Sequence, residues 1–142
     1  MIGTLNAQTL KLATSFPATV NSETLTEHFV RLRPSYPQTR FSTLNTILNQ
    51  GSYCVRKATQ IEAARLDIKL WNLPPYSPNL NLIARACWKV VNEQVRGNVY
   101  FPDAKVFTST IKDFFRNRLG KLAKSLTTRF ADNFQVIQKP AF

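Results

Sequence analysis

The stretch Leu73-Pro74-Pro75-Tyr76-Ser77-Pro78-Asn79-Leu80-Asn81 joins two segments of different periodicity. Its three prolines fix φ and remove backbone donors, so it is neither a helix interior nor a paired strand. Residues 68–73 before it alternate like a strand, and residues from 82 to about 96 carry a helical apolar repeat. A stiff joint of this kind fixes the direction of the next helical turn. Two interpretations are open here: a joint that positions residues of an active site, or a proline-rich surface loop.

The bulk composition is that of one globular domain. A chain of 142 residues with 44% hydrophobic content is long enough to bury a core. No apolar run approaches the roughly 18 residues of a membrane helix, and residues 1–4 lack the pattern of a signal peptide, so we expect a cytoplasmic protein. Cys54 and Cys87, with the lone His28, are too few for a disulfide framework or a zinc cluster, which predicts buried free thiols.

The charge balance favours a polyanionic partner. Nineteen Lys and Arg residues stand against 8 Asp and Glu residues, a formal charge of +11. Contacts between such a surface and phosphates release condensed counterions, which stabilises the complex. Membrane-surface binding is the alternative, but it usually needs a basic amphipathic helix beside exposed bulky apolar groups. We therefore predict a nucleic-acid partner and no membrane.

The first forty residues predict a hairpin followed by a helix. Residues 2–5 and 9–15 read as short strands joined by a polar turn. Asn21 and Ser22 are candidate caps of a helix that ends at Arg33-Pro34, and its apolar face carries Leu25, Phe29 and Leu32. We expect His28 on the rim of this helix, as a satisfied or solvated side chain rather than a catalytic one.

The next segment predicts a strand, helix, strand, loop and helix unit. Residues 42–49 read as a strand, residues 57–67 as a helix and residues 68–73 as a second strand. We expect the helix to bury Ile61, Ala64 and Leu66. A unit of this order implies a locally parallel sheet with a right-handed crossover.

Two helical segments follow the proline stretch, and both are basic. Asn79 and Asn81 are candidate caps of the first. One face of that helix groups Ile83, Cys87, Val90, Val91 and Gln94, and a second face groups Arg85, Lys89, Asn92 and Arg96. Asp103 is expected to cap the second helix, whose apolar residues are Val106, Phe107, Ile111, Phe114 and Phe115. A further turn or two over residues 121–130 packs through Leu122, Leu126 and Phe130.

A dense run of cations accompanies these helices. Asp113 alone opposes Lys112, Arg116, Arg118, Lys121, Lys124 and Arg129. The run is either a solvated face or a surface for the phosphate backbone. We predict DNA binding by Arg85, Lys89, Arg96, Lys112, Arg116, Arg118, Lys121 and Lys124.

The proline stretch, followed by Ile83, Arg85, Trp88 and Lys89, resembles the signature of bacterial insertion-sequence transposases of the mariner superfamily (insertion sequence six-thirty type). The likeness runs from Gly3 to Ile137. It implies an α/β fold: a DDE ribonuclease H-like catalytic domain whose mixed sheet has flanking helices. It implies one domain over residues 1–142, with the sheet and crossover helices in 1–97 and a C-terminal helical extension in 103–137.

The resemblance also implies a catalytic triad that this sequence lacks. Family members cut and join DNA with two divalent metal ions held by Asp, Asp and Glu. Asn49, in Asn49-Gln50-Gly51, stands at the second Asp position, and Ala84 stands at the Glu position. Thirty-four residues separate them, which is similar to the family spacing. An amide and a methyl group bind Mg²⁺ poorly, and Glu62, Asp67 and Glu93 are not placed to substitute, so we expect neither Mg²⁺ nor Mn²⁺ to bind.

Three further departures accompany the missing acids. Leu82 replaces a proline at the first helical turn. The run from Arg85 to Lys89 is one residue longer than the family pattern, so either Trp88 is displaced or a π-bulge absorbs the extra residue. By resemblance the chain also lacks the first, central strand. This would leave strand 42–49 with an unpaired edge, closed by the hairpin or by a second chain.

The sequence thus predicts a truncated, degenerate transposase domain, catalytically inactive, that keeps a surface for the DNA backbone and associates with the nucleoid when bound. One alternative is an interaction protein, a homodimer or an inhibitor that pairs with an intact transposase. The other is an active metal-dependent strand transferase or nuclease whose carboxylates lie elsewhere.

Overall fold

The computed structural model describes residues 1–9, 11–77, 80–81, 83–84, 88–97 and 99–118. The predicted helix over residues 121–130 lies outside this part of the chain, as do Arg85, Lys121 and Lys124. The chain divides into two compact units, Met1–Ala84 and Arg85–Phe142. The prediction of a single domain stays a prediction. Among the described helices, none is long and apolar enough to cross a bilayer.

The first unit begins with a hairpin. Strand β1 (Ile2–Leu5) pairs antiparallel with β2 (Leu12–Ser15), in a register that places Ile2 opposite Ser15. The side chain of Asn6 shapes the turn, because its Oδ1 atom accepts from the backbone N–H groups of Gln8 (2.9 Å) and Thr9 (2.8 Å). The predicted hairpin is confirmed, although its second strand is shorter than the predicted 9–15.

Helix α1 (Ser22–Leu32) begins with a capping box. Asn21 Oδ1 accepts from the Thr24 N–H at 2.9 Å, and Thr24 Oγ1 accepts from the Asn21 N–H at 3.0 Å, so two free donors are satisfied at once. A short 3₁₀ turn, Arg33–Ser35, ends the helix where Pro34 removes a donor. The predicted face is confirmed, because Leu25, Phe29 and Leu32 are all buried.

A parallel pair of strands follows. Strand β3 (Leu44–Leu48) and strand β4 (Ile68–Asn72) lie in register, with Leu44 beside Ile68 and Leu48 beside Asn72. Helix α2 (Lys57–Arg65) connects them, as predicted. Asp67, at φ 53°, is the left-handed residue that turns the chain from the helix into β4.

The buried face of α2 differs from the prediction. Ile61 is 60% exposed and Ala64 is exposed, while Thr59 and Ala63 are fully buried and Leu66 is half-buried against the core. Thr59 tolerates this position because its hydroxyl donates to the carbonyl of Tyr53 at 2.8 Å. Small side chains let this helix pack close to the core.

The fold is α/β, but the predicted mixed sheet is present as two separate two-stranded sheets. Both contribute to one hydrophobic core with α1 and α2, formed by Ile2, Leu25, Phe29, Cys54, Ala63 and Ile68. Within the described residues the hairpin does not pair with β3, so it does not close the edge of that strand. An unpaired β3 edge is therefore a feature of the part of the chain that the structure describes.

The described part of the second unit, residues 88–97 and 99–118, is mostly helical and contains two five-residue π turns. Helix α3 (Lys89–Val91) continues into a π turn, Asn92–Arg96, and helix α4 (Ala104–Asp113) continues into another, Phe114–Arg118. Asp103 caps α4 as predicted, accepting from the Val106 N–H at 2.8 Å. The hydrophobic core of this unit is formed by Val90, Val91, Val95 and Phe114, and it is flanked by Trp88, Phe101, Ile111 and Phe115.

One residue of the predicted apolar face is wrong. An α-helical repeat places Gln94 on the face of Val90 and Val91, yet Gln94 is exposed and Val95 is buried. Val95 follows Val91 by four residues and Val90 by five, so it lies on the buried face together with both. Ala84 and Trp88 are also π-helical, and residues 85–87 between them lie outside the described part. Trp88 contacts Phe115 edge to face, with ring centroids 6.1 Å apart.

Candidate active site and nucleic-acid interface

Asn49 lies directly after the carboxyl end of β3. The ladder to β4 continues to this point, because the Leu73 N–H donates to the Leu48 carbonyl at 2.8 Å. The first residue of the proline stretch is therefore fixed beside the end of β3. In a parallel sheet, loops that follow carboxyl ends are the usual positions for ligand-binding groups.

The side chain of Asn49 is used inside its own loop. Its Oδ1 atom accepts from the thiol of Cys54 at 3.4 Å, and Tyr53 also hydrogen bonds with it. The Cys54 N–H donates to the Gly51 carbonyl at 2.8 Å, which closes the turn. A side chain at position 51 would put a Cβ atom 3.0 Å from the Tyr53 ring, so the ring would have to shift to admit one.

Burial controls the ionisation of this loop. It raises the pKa of the Cys54 thiol, an effect that the hydrogen bond to Gly51 partly offsets. Burial also raises the pKa of Tyr53, the neighbouring Cys54 adds to that rise, and the hydrogen bond with Asn49 opposes it. Both groups are neutral near pH 7, so the loop offers no charged ligand. Cys54 is a buried free thiol, as predicted; Cys87 lies outside the described residues.

Pro75 and Tyr76 of the proline stretch form a turn that the sequence did not fully specify. Tyr76 has a φ of 57° and is entirely exposed, and the Ser77 hydroxyl donates to the Pro75 carbonyl at 3.3 Å. Of the two candidate caps, Asn81 makes a capping bond, because its Oδ1 atom accepts from the Ala84 N–H at 3.2 Å, and Asn79 lies outside the described residues. The joint thus places the backbone of Ala84 at the start of the helix, with only a methyl side chain.

These positions do not fit a divalent metal ion. Asn49 offers a neutral carbonyl oxygen that already accepts a hydrogen bond, and Ala84 offers no donor atom. Mg²⁺ gives up its water ligands only to strong negative oxygen donors. Across the residues that the structure describes, no group of three or more His, Cys, Asp or Glu side chains is placed to hold a metal.

His28 lies in the core and not on the rim. It is 2% exposed, and its Nε2 atom is 2.8 Å from the Thr4 hydroxyl, while its Nδ1 atom contacts the Ser15 hydroxyl. The rim position was wrong because the polar ring is satisfied by both strands of the hairpin. Burial lowers the pKa of His28, and the positive charge of Arg31 lowers it further. The satisfied role predicted for His28 is confirmed.

The predicted DNA-binding cations differ in their surroundings. Lys89 and Arg116 are exposed, and Lys112 is half-buried. Arg118 Nε lies 3.4 Å from Asp113 Oδ2, and Asn117 donates to Asp113 Oδ1 at 2.7 Å. The Asp113–Arg118 pair is five residues apart, a spacing that the π turn brings together. Arg118 therefore carries a partner that α-helical spacing did not predict.

A comparison with known protein families identifies the superfamily of this chain. A family model described as "DDE superfamily endonuclease" matches residues 1–108. Comparisons with curated proteins and with solved structures give no match. The matched segment contains both sheets, the proline stretch and the start of α4. The chain belongs to the DDE superfamily of endonucleases.

Proposed function

We propose that this chain is a degenerate DDE domain of the mariner-superfamily insertion-sequence type, which has lost strand cleavage and binds the DNA backbone without sequence preference. The observation that carries the proposal is the side chain of Asn49. At the position where the family uses an acid, this amide is engaged with Cys54 in its own loop.

The helix start supports the same proposal. The proline stretch and Asn81 still define where the helix begins, but the residue presented there is Ala84. Two charged ligands are thus replaced by one neutral oxygen and one methyl group. A two-metal phosphoryl transfer needs negative ligands that hold both ions and offset their dehydration.

DNA binding is supported by charge and family together. The chain carries a formal charge of +11, and Lys89 and Arg116 present cations at the surface of the helical unit. Members of an endonuclease superfamily act on DNA, and a neutralised phosphate requires no base recognition. We place this binding in the bacterial cytoplasm, at the nucleoid.

The test combines a binding and a cleavage measurement. We expect fluorescence anisotropy with duplex DNA to give an affinity that falls as salt rises, equal for unrelated sequences. The double variant Lys89→Gln, Arg116→Gln should weaken binding and reduce the salt slope by about 0.9 per cation removed. Arg65→Gln is the control, because Arg65 is exposed but already 3.0 Å from Glu62.

Cleavage is measured on supercoiled plasmid DNA with Mg²⁺ or Mn²⁺. We expect no protein-dependent nicks. Nicks that disappear with a chelator would reject the inactive assignment and favour the active nuclease. Duplex affinity that does not change with salt would reject backbone binding.

The edge of β3 favours a second candidate, pairing with a second copy or with an intact transposase. The Leu44 N–H and the Leu48 carbonyl bond toward β4, so the backbone groups of Asn45 and Ile47 point to the opposite edge, which has no partner strand among the described residues. A charged side chain or a proline usually protects an exposed strand edge from pairing, and strand β3 contains neither.

Ile47→Pro tests this candidate, because it removes an N–H that faces away from β4. Thr46→Pro is the control, since that N–H faces β4 and its loss should destabilise the fold. If the edge pairs, sedimentation should show self-association, or co-purification with an intact transposase, that Ile47→Pro abolishes. A wild-type chain that remains monomeric and captures no transposase would reject the candidate.

A further inference from the structure

The outer face of the β3–β4 sheet carries an ordered aromatic side chain. Alternation along the strands places Asn45 and Ile47 of β3 and Lys69 and Trp71 of β4 on this face. Trp71 is 50% exposed and Ile47, its register partner, is 66% exposed. The indole N–H of Trp71 donates to Asn45 Oδ1 at 3.0 Å, and Lys69 Nζ lies 4.5 Å from the indole centroid.

We propose that this outer face binds a single-stranded nucleic acid, with a base stacked on Trp71 and a phosphate paired with Lys69. The inference rests on the proposed DNA contact, and it adds a base-stacking site distinct from the cations of the helical unit. Combining an aromatic platform with a nearby cation is how proteins hold single strands without reading their sequence.

The hydrogen bond to Asn45 is the first argument. It satisfies the only polar atom of the indole and orients the ring on the sheet, so stacking would leave no donor unpaired. The contact with Lys69 is a second argument, because an exposed cation–π pair is weak. A base can take the place of the ammonium group over the ring, and the ammonium group can then pair with a phosphate.

The positive charge of this face favours a nucleic acid over a protein as the molecule that binds there. Both faces of a parallel sheet are usually covered, and a helix from another protein could cover this one. Such a helix would bury the ammonium of Lys69, at a cost unless it supplied a carboxylate in the correct place. A nucleic acid supplies an anion at every nucleotide. The four outward residues include no acid, and the chain is strongly cationic.

The test uses labelled oligonucleotides of equal length and charge. We expect the full chain to bind oligothymidylate about tenfold more tightly than an oligonucleotide that has the same phosphates but no bases. Trp71→Ala should remove that difference, and Trp71→Phe should retain part of it. Lys69→Gln should reduce the salt slope for oligothymidylate by about 0.7.

Fluorescence locates the contact. The chain has two tryptophans, so Trp88→Phe leaves Trp71 as the only indole. We expect oligothymidylate to quench its emission and the abasic oligonucleotide to leave it unchanged. Quenching by both, or an unchanged affinity of Trp71→Ala for oligothymidylate, would overturn the proposal. Self-association that Trp71→Ala abolishes, without a preference for bases, would assign the face to a protein.

The two proposals fail in different ways. If Lys89→Gln, Arg116→Gln weakens duplex binding while Trp71→Ala binds oligothymidylate as the parent chain does, the sheet-face site is rejected and backbone binding stands. If the base preference survives while duplex binding is insensitive to salt, backbone binding falls and the sheet-face site stands.

Discussion

Asn49 Oδ1 lies 3.4 Å from Cys54 Sγ and accepts the hydrogen of the thiol across the loop that follows β3. We expect Asn49→Ala to reduce the free energy of unfolding by about 1 kcal/mol, because this bond and the one with Tyr53 are both lost. Urea unfolding measures the change. Gln50→Ala is the control, since Gln50 is an exposed neighbour on the same loop and its loss should cost less than about 0.5 kcal/mol. Equal effects would show that the Asn49 bonds are not stabilising.

The buried His28 should make the stability depend on pH. Its pKa is lowered in the folded state, so the unfolded chain binds the proton more readily. The stability that neutral His28 provides is therefore fully present above pH 6.5 and is lost as the pH falls below that value. His28→Gln should show a smaller decrease between neutral and mildly acidic pH. The measurement is urea unfolding over this range, and an identical decrease in both proteins would contradict the prediction.

Helix α2 should respond to substitution on the side that faces the core. Ala63→Leu is expected to cost about 1–3 kcal/mol, because Ala63 is fully buried and the added methylenes have no space. Ile61→Ala should change the stability by less than about 0.5 kcal/mol, because Ile61 is 60% exposed. Thermal unfolding of the two variants distinguishes the faces. A larger loss from Ile61→Ala would restore the face that periodicity predicts.

Removing Asp113 should strengthen DNA binding. Asp113→Asn releases Arg118 from its ion pair, so one more cation becomes available to a phosphate. We expect tighter binding to duplex DNA and a salt slope steeper by about 0.9. Asp103→Asn is matched in charge and keeps an effective helix cap, but it releases no arginine. If both variants change the slope equally, the effect is one of net charge and not of Arg118.

Much of the fold could be predicted because its signals are local. The Asn21 cap, the Arg33-Pro34 end of α1 and the strands on either side of α2 follow from residue types within one or two turns. The proline stretch and its family likeness predicted the superfamily that the family comparison identifies. These features do not depend on how distant segments pack.

The errors concern packing, which a local pattern does not contain. Ile61 is the largest apolar side chain of α2, so periodicity selected its face, but the core accepts Thr59 and Ala63 because the helix packs closely. His28 was expected at the rim because the sequence does not show which groups satisfy its ring. The hydroxyl groups that do so, on Thr4 and Ser15, are remote in sequence. The hydrogen bond between Asn49 and Cys54 could not be predicted either, because an amide and a thiol five residues apart do not form a known sequence motif.

The two π turns change the arithmetic by which charges on these helices should be engineered. In the turn that ends in Arg118, Asp113 meets side chains at separations of both four and five, because it accepts from Asn117 and pairs with Arg118. A π turn rotates less per residue than an α-helix, so the fifth residue comes back beside the first while the fourth stays in reach. A designer who introduces a new ion pair there can therefore use either interval, whereas an α-helix offers separations of three or four.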